Sequence, residues 1–227
     1  MTYIVNIHTS TDTAIVTLSA GAEILGTSCN HETKQHAAFL HTAIYELLES
    51  QGVDIKALKA IGVSSGPGSY TGIRVGLATA KGLCYALKIP LISYSSLEAM
   101  AVTATNIVKD PNGLYCPVID ARRMEVYTAM YKFDMEEVAA PSSVILEENS
   151  FAEILFCGKV YFIGSGIEKF QQLTKNKNAV FLNGEISSES LAAIAWGKFK
   201  KHEFENISHA QPIYIKEFHT IIQKQVP

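Results

Sequence analysis

Ala60-Ile61-Gly62-Val63-Ser64-Ser65-Gly66-Pro67-Gly68-Ser69-Tyr70-Thr71-Gly72-Ile73-Arg74 runs from a compact apolar strand into a helix through a turn built on Gly66, Gly68 and Gly72. The apolar run at 60–64 has strand length, and the periodic run that follows reads as a helix over 71–87, stopped before Pro90. A strand feeding a helix through a tight turn is the unit of an α/β fold. Glycine tolerates positive φ and lets another backbone come close. Thr71 or Ser69 can cap the helix, whose free N–H groups suit an anion. Gly66, Gly68, Ser69 and Thr71 are therefore the candidate phosphate or ligand turn. The generic phosphate motifs fail, however. A Walker loop needs Gly-Lys-Ser/Thr where Gly72 is followed by Ile73, and the dinucleotide fingerprint fails because its last gap is one residue too long. A capped turn holding no ligand fits the same residues.

The helix itself carries two stripes of small residues. Gly72, Gly76 and Ala80 fall four apart on one face, and Ala78, Gly82 and Ala86 do so on another. An interior helical glycine costs about 1 kcal/mol relative to alanine, and close packing is the usual compensation. One stripe can lie on a sheet while the other receives a partner helix, or both can serve internal packing.

Upstream, strands are expected at 3–7, 14–18 and 23–27, the first two joined by Thr9-Ser10-Thr11-Asp12 as a hairpin turn. Phe39, Leu40, Ile44, Leu47 and Leu48 recur at helical spacing over 36–51 before Gly52. Downstream come a strand at 91–94 and a helix opened by the capping-box match Ser95-Ser96-Leu97-Glu98. Asp110-Pro111-Asn112-Gly113 marks a linker over 106–113. Beyond it lie strands at 115–119, 125–131, 144–146 and 160–163, the last ending in Gly164-Ser165-Gly166, then a helix over 188–201. A hairpin followed by alternating strands and helices predicts a mixed sheet flanked by helices, and its recurrence after the linker predicts two lobes.

The 227 residues suffice for one large domain or two lobes, and 48% hydrophobic with 18% charged residues is a folded composition. A net charge of −3 argues against autonomous nucleic-acid binding, which depends on a basic face. The N-terminus does not read as a signal peptide, and no apolar run approaches the roughly 20 residues that cross a bilayer. Cys29, Cys84, Cys116 and Cys157 are scattered without a Cys-x-x-Cys pair, which favours reduced thiols and a cytoplasmic location.

Several of these segments together resemble the TsaB (YeaZ) family. They are Gly66 through Gly76 with Ala78-Thr79-Ala80-Lys81-Gly82-Leu83, and Pro90-Leu91-Ile92 leading to Ser95-Ser96-Leu97-Glu98-Ala99. Ile119-Asp120-Ala121-Arg122-Arg123-Met124-Glu125-Val126-Tyr127 and Pro212-Ile213-Tyr214-Ile215 complete the set. The likeness is dense over 1–131 and thin over 132–210. It implies an actin-like (ribonuclease H-like) fold of two lobes, expected at 1–105 and 106–227, with the late helix near 188–203 packing back on the first. It also implies a non-catalytic partner of the TsaD subunit that supports TsaE and the threonylcarbamoylation of tRNA, with tRNA met only indirectly. Alone, such a subunit forms a homodimer. The residues expected at its interface are His36, Leu40 and Ile44 on the first helix and Thr71, Arg74, Val75, Ala78, Thr79 and Gly82 on the second.

No metal and no cofactor are expected on the chain itself, ATP being a candidate ligand only within the complex. In actin-like enzymes the first hairpin carries an acidic residue for the metal–phosphate complex. Here His8 stands in its place, and imidazole is a poor magnesium ligand. The rival readings are a stand-alone actin-like ATPase or small-molecule kinase, and a plain homodimer on the same surface. The catalytic relative carries a metal-binding His-x-x-x-His pair, whereas His31, His36 and His41 are five apart, about 140° per step on a helix. Asp120, Arg122 and Arg123 can meet a phosphate, a partner carboxylate or only one another. Gly164-Ser165-Gly166 falls where an actin-like second lobe places a nucleotide turn, and it also reads as a plain strand-to-helix connection. Trp196 and Phe199 read as core.

Overall fold

β1 (Tyr3–His8), β2 (Ala14–Ala20) and β3 (Glu23–Asn30) form an antiparallel meander, and β4 (Leu58–Ser64) and β5 (Leu91–Tyr94) add to β1 in parallel, giving the order β3-β2-β1-β4-β5. These relations come from a computed structural model that describes residues 1–32 and 36–216. The helix α1 (His36–Ser50) connects β3 to β4, and α2 (Tyr70–Leu87) connects β4 to β5, as parallel pairing requires a crossover. Alternate residues of β1 and β2 point to opposite faces. Val5, Ile7, Val16 and Leu18 therefore join Leu40, Leu47, Leu77 and Ala80 under α1 and α2. Ile4 and Ile15 turn the other way, with Ile92, Leu97, Leu191 and Ala195.

α3 (Ser96–Ile107), capped by the Ser95 hydroxyl accepting from the Leu97 N–H at 3.1 Å, leads to a second sheet. β6 (Leu114–Asp120), β7 (Glu125–Tyr131) and β8 (Glu137–Ile145) are antiparallel, and β9 (Val160–Ile163) and β10 (Ala179–Leu182) add to β6 in parallel. The order β10-β9-β6-β7-β8 repeats the first sheet's topology strand for strand. α4 (Ala152–Cys157) and α5 (Ile167–Leu173) are short. α6 (Ser188–Lys200) packs on the strands of the first sheet and on α3. Its Trp196 closes over Gly21 and stacks on Phe199, both rings lying at the edge of the central cluster. That cluster unites Ile4 and Ile92 of the first sheet with Tyr115, Ile119, Tyr161 and Ile163 of the second.

The segment expected as a linker is pinned rather than loose. The Tyr115 hydroxyl donates to the carbonyls of Val108 and Asp110, both at 2.9 Å, and Tyr161 donates to the Asp110 carboxylate at 2.7 Å. β8 starts seven residues before the expected strand, and β10, α4 and α5 were not expected at all; each is under eight residues, too short for a period to show. Residues 217–227 of the expected second lobe lie outside the described residues. Among the described residues, no helix is long and apolar enough to cross a membrane.

Candidate partner-docking site

The glycine-rich turn grips the protein's own hairpin. The Ser69 N–H donates to the Ser10 carbonyl at 2.7 Å, and the Thr9 hydroxyl donates to the Gly72 carbonyl at 2.7 Å. A Cβ at Gly68 would collide with the Ser10 carbonyl, at Gly72 with the Thr9 carbonyl, and at Gly76 with the Thr9 hydroxyl. The Ser69 hydroxyl caps α2 by accepting from the Gly72 N–H at 3.3 Å. Within the candidate phosphate turn at Gly66, Gly68, Ser69 and Thr71, Ser10 thus occupies the space beside Gly68, and the Ile213 carbonyl and Ile73 side chain occupy that beside Gly66. Of those four, Thr71 is exposed on the helix's first turn and Ser69 is its cap.

His8 lies beneath this hairpin, fully buried, with Nδ1 2.8 Å from the Ser64 hydroxyl and Nε2 2.8 Å from the Thr11 hydroxyl. Ser10 extends the chain, 3.0 Å from Ser64 and 2.6 Å from Ser96. Burial, aided by repulsion from His36, lowers the imidazole pKa from 6.5 to about 3. The hairpin position is therefore an uncharged imidazole in a hydroxyl network, unsuited to holding a hard cation. His31 faces the Thr13 hydroxyl at 3.1 Å, and His36 faces the Asp12 carbonyl at 3.2 Å. Among the described residues, no three His, Cys, Asp or Glu side chains gather as a metal site.

The two stripes of α2 differ in burial. Gly72, Ile73, Gly76, Leu77, Ala80 and Cys84 are buried against the sheet. On the other side Thr71, Arg74, Ala78, Gly82, Tyr85 and Ala86 are exposed, Val75 is half-buried and Thr79 is nearly covered. Among the described residues a Cβ at Gly82 would meet nothing within 4 Å, so none of them offsets the propensity cost of that glycine. α1 lies alongside α2. Three of the expected interface residues on α1 are placed elsewhere. His36, Leu40 and Ile44 are 5%, 0% and 4% exposed and face inward. The reason is the helical period: an apolar i, i+4, i+8 stripe is the core face of an amphipathic helix. The outward face of α1 carries Ala37, Ala38, His41, Thr42 and Tyr45 instead. Tyr45 and Tyr85, 64% and 80% exposed, were missed by sequence reasoning; their signal was an aromatic off the apolar stripe.

A strap over 211–216 crosses the start of α2. The Ile213 N–H donates to the Ser65 carbonyl at 2.7 Å, and Arg74 Nε donates to the Tyr214 hydroxyl at 2.9 Å. The Arg74 guanidinium lies 3.9 Å above the Tyr70 ring, a cation–π contact, and Lys216 pairs with Glu125 of the second sheet. Tyr214→Ala is expected to accelerate hydrogen exchange at the Ile213 amide while leaving the amides inside α2 protected; unchanged exchange at Ile213 would show that Tyr214 does not hold the strap.

A cavity of about 300 Å³ opens between the hairpin and the second sheet, lined among others by Thr11, Asp12, Met100, Ser165, Glu168 and Glu185. Among the described residues its lining includes three carboxylates and neither lysine nor arginine, a lining that disfavours a polyphosphate. Within Gly164-Ser165-Gly166, the Ser165 hydroxyl accepts from the Asp120 N–H at 3.0 Å and the Gly166 N–H donates to the Val118 carbonyl at 3.0 Å, which ties this loop to β6.

Two duplicated mixed sheets with helices between them define an actin-like fold. A glucomannokinase from Arthrobacter, using inorganic polyphosphate or ATP, shares it at TM-score 0.55 and 9% identity, over 89% of this chain and all of that one. The solved YeaZ of Pseudomonas aeruginosa superposes at TM-score 0.83 and 24% identity, over 94% of this chain and all of that one. Residues 23–219 match the family model described as TsaD: tRNA N6-adenosine threonylcarbamoyltransferase. The Escherichia coli tRNA threonylcarbamoyladenosine biosynthesis protein TsaB is 26% identical, over 86% of this chain and 85% of its own length. The chain belongs to this family, on its TsaB (YeaZ) branch.

Proposed function

We propose that the chain is a cytoplasmic, non-catalytic subunit in the biosynthesis of tRNA threonylcarbamoyladenosine, docking onto a TsaD-type catalytic subunit through the outer faces of α1 and α2 and supporting TsaE on that complex. The observation that carries the docking is the exposed stripe Ala78, Gly82 and Ala86, a close-approach surface with none of the described residues upon it, flanked by the exposed rings of Tyr45 and Tyr85. Small residues let two helices approach, and tyrosines at the margin supply contact area. In the absence of that partner the same face pairs two copies of this chain. The relatives' names support the pathway.

The rival ATPase or kinase reading is opposed by the uncharged His8 network and by the packing of Ser10 and Thr9 against Gly68 and Gly72. Nucleotide, if the complex uses it, belongs to the assembly rather than to this chain alone. Reconstituted modification of an unmodified tRNA with TsaD, TsaE and the carbamoyl donor, with and without this chain, is the test. Dependence of product on this chain, together with its co-elution with TsaD, is the expected result. Full activity without it, or magnesium-dependent ATP turnover by the isolated chain, would overturn the reading.

A further inference from the structure

Arg122 and Arg123, at the tip between β6 and β7, occupy the left-handed region with φ of +68° and +46°. Neither is a residue that adopts this backbone cheaply; each costs on the order of 1 kcal/mol. The conformation is imposed by its surroundings. The Asp120 carboxylate accepts from the Arg122 N–H at 2.6 Å, the Ala121 N–H donates to the Glu125 carbonyl at 3.0 Å, and the Glu125 N–H donates to the Arg122 carbonyl at 3.1 Å. Both local carboxylates are occupied: Asp120 by Lys169 at 2.7 Å, and Glu125 by Lys216 and the Ser143 hydroxyl. Both arginines are exposed, and among the described residues neither guanidinium makes a hydrogen bond or ion pair. The strap carries this basic tip on to Arg74, because Lys216 sits two residues from Tyr214. Lys169 and Lys216 are thus held by the two carboxylates, and the two arginines are left as the cations of the tip that no ion pair among the described residues engages.

We propose that the Arg122-Arg123 turn, with Arg74, Lys169 and Lys216 behind it, is a contact for the phosphate backbone of an RNA. The proposal rests on the tRNA pathway read above, and it differs from the indirect contact that net charge alone suggested. A guanidinium pairs with two phosphate oxygens at once, and a rigid tip fixes where that pairing falls. A protein interface would want an apolar centre. The small-residue face of α2 offers one; at this tip the exposed apolar side chains are Met124 and Ile145, set among the charges of Asp120, Arg122, Arg123 and Glu125, with Tyr70 and Tyr214 at its far end. Two or three phosphate contacts are too few to hold RNA alone, which agrees with the overall negative charge; they add to what a catalytic partner supplies and set the orientation of the bound strand.

The test is fluorescence anisotropy with an unmodified tRNA transcript, titrated at several salt concentrations against the complex of this chain with TsaD. The variant is Arg122→Asn with Arg123→Asn, because asparagine accepts the left-handed backbone and the turn should keep its shape. We expect tRNA affinity to fall about tenfold and the salt slope to shrink by about 1 to 2, with co-elution unchanged. Lys56→Ala with Lys59→Ala, outside the stripe, should change neither. Unaltered affinity and slope in an intact complex would overturn the proposal while leaving the subunit role standing. Loss of co-elution with unaltered tRNA binding would assign the turn to a protein carboxylate and overturn it equally. If the native chain failed to join TsaD, the subunit role would fall and the proposal, which rests on it, would fall with it; that outcome is read from co-elution, not from the titration.

Discussion

Gly76→Leu is expected to yield a strongly destabilised protein, while Gly82→Leu yields one that folds normally and assembles at least tenfold more weakly. The Cβ at position 76 would collide with the Thr9 hydroxyl, and the larger side chain would drive α2 off β1. Overpacking of this kind costs about 3 kcal/mol or more when backbone must move, a large share of a domain's stability. Position 82 opens on solvent, and leucine there recovers up to about 1 kcal/mol of helix propensity. Its cost appears only when a second helix tries to pack within the reach of a glycine, where at least a tenfold loss of affinity, about 1.4 kcal/mol, is expected. Urea unfolding of both variants, with co-elution against TsaD, separates the two. Normal assembly of Gly82→Leu would place the interface elsewhere. On the sequence alone both glycines were candidates for the crossing; in the structure position 76 packs against Thr9 and position 82 is open among the described residues.

Stability should fall steeply in mild acid, and His8 should account for much of the fall. The folded state holds this imidazole at a pKa of about 3 against an ordinary 6.5, so below pH 6.5 the unfolded chain takes up a proton that the folded chain refuses. The contribution of His8 is complete above about pH 6.5 and is lost as the pH drops towards 3, at a rate of about 1.4 kcal/mol per pH unit. His8→Gln keeps a polar side chain near Ser64 and Thr11 but cannot charge. Unfolding free energies between pH 6 and 4 should therefore run flatter in this variant than in the native protein, by roughly 1 kcal/mol per unit. Parallel profiles would mean that the other acid-sensitive groups dominate.

The first sheet was legible because its signals are long and local: β1, β2, β4, α1 and α2 each show a period or a capped boundary, and the glycine-rich turn announces a strand-to-helix corner. The second sheet was half hidden. β10 is four residues between polar loops, and β8 is an exposed edge strand with Pro141 within it, so neither shows alternation. On α2 smallness marked two stripes and the structure leaves the one with Ala78, Gly82 and Ala86 exposed, whereas on α1 the stripe with His36, Leu40 and Ile44 is the inner one. His8 was visible as a departure, but its full burial in a hydroxyl network depends on residues as distant as Ser64 and Ser96. The strap lies over a hundred residues from the helix it crosses, and no local pattern could announce that meeting.

The two stripes of α2 have a consequence for heredity. Along one helix, substitutions a turn or two apart should fall into two phenotypes. Changes on the inner stripe should produce temperature-sensitive alleles, rescued by cooling or by chaperones and indifferent to which partner is present. Changes on the outer stripe should leave protein levels normal and should be suppressed only by second-site changes in the partner's gene, where a smaller side chain restores the lost clearance.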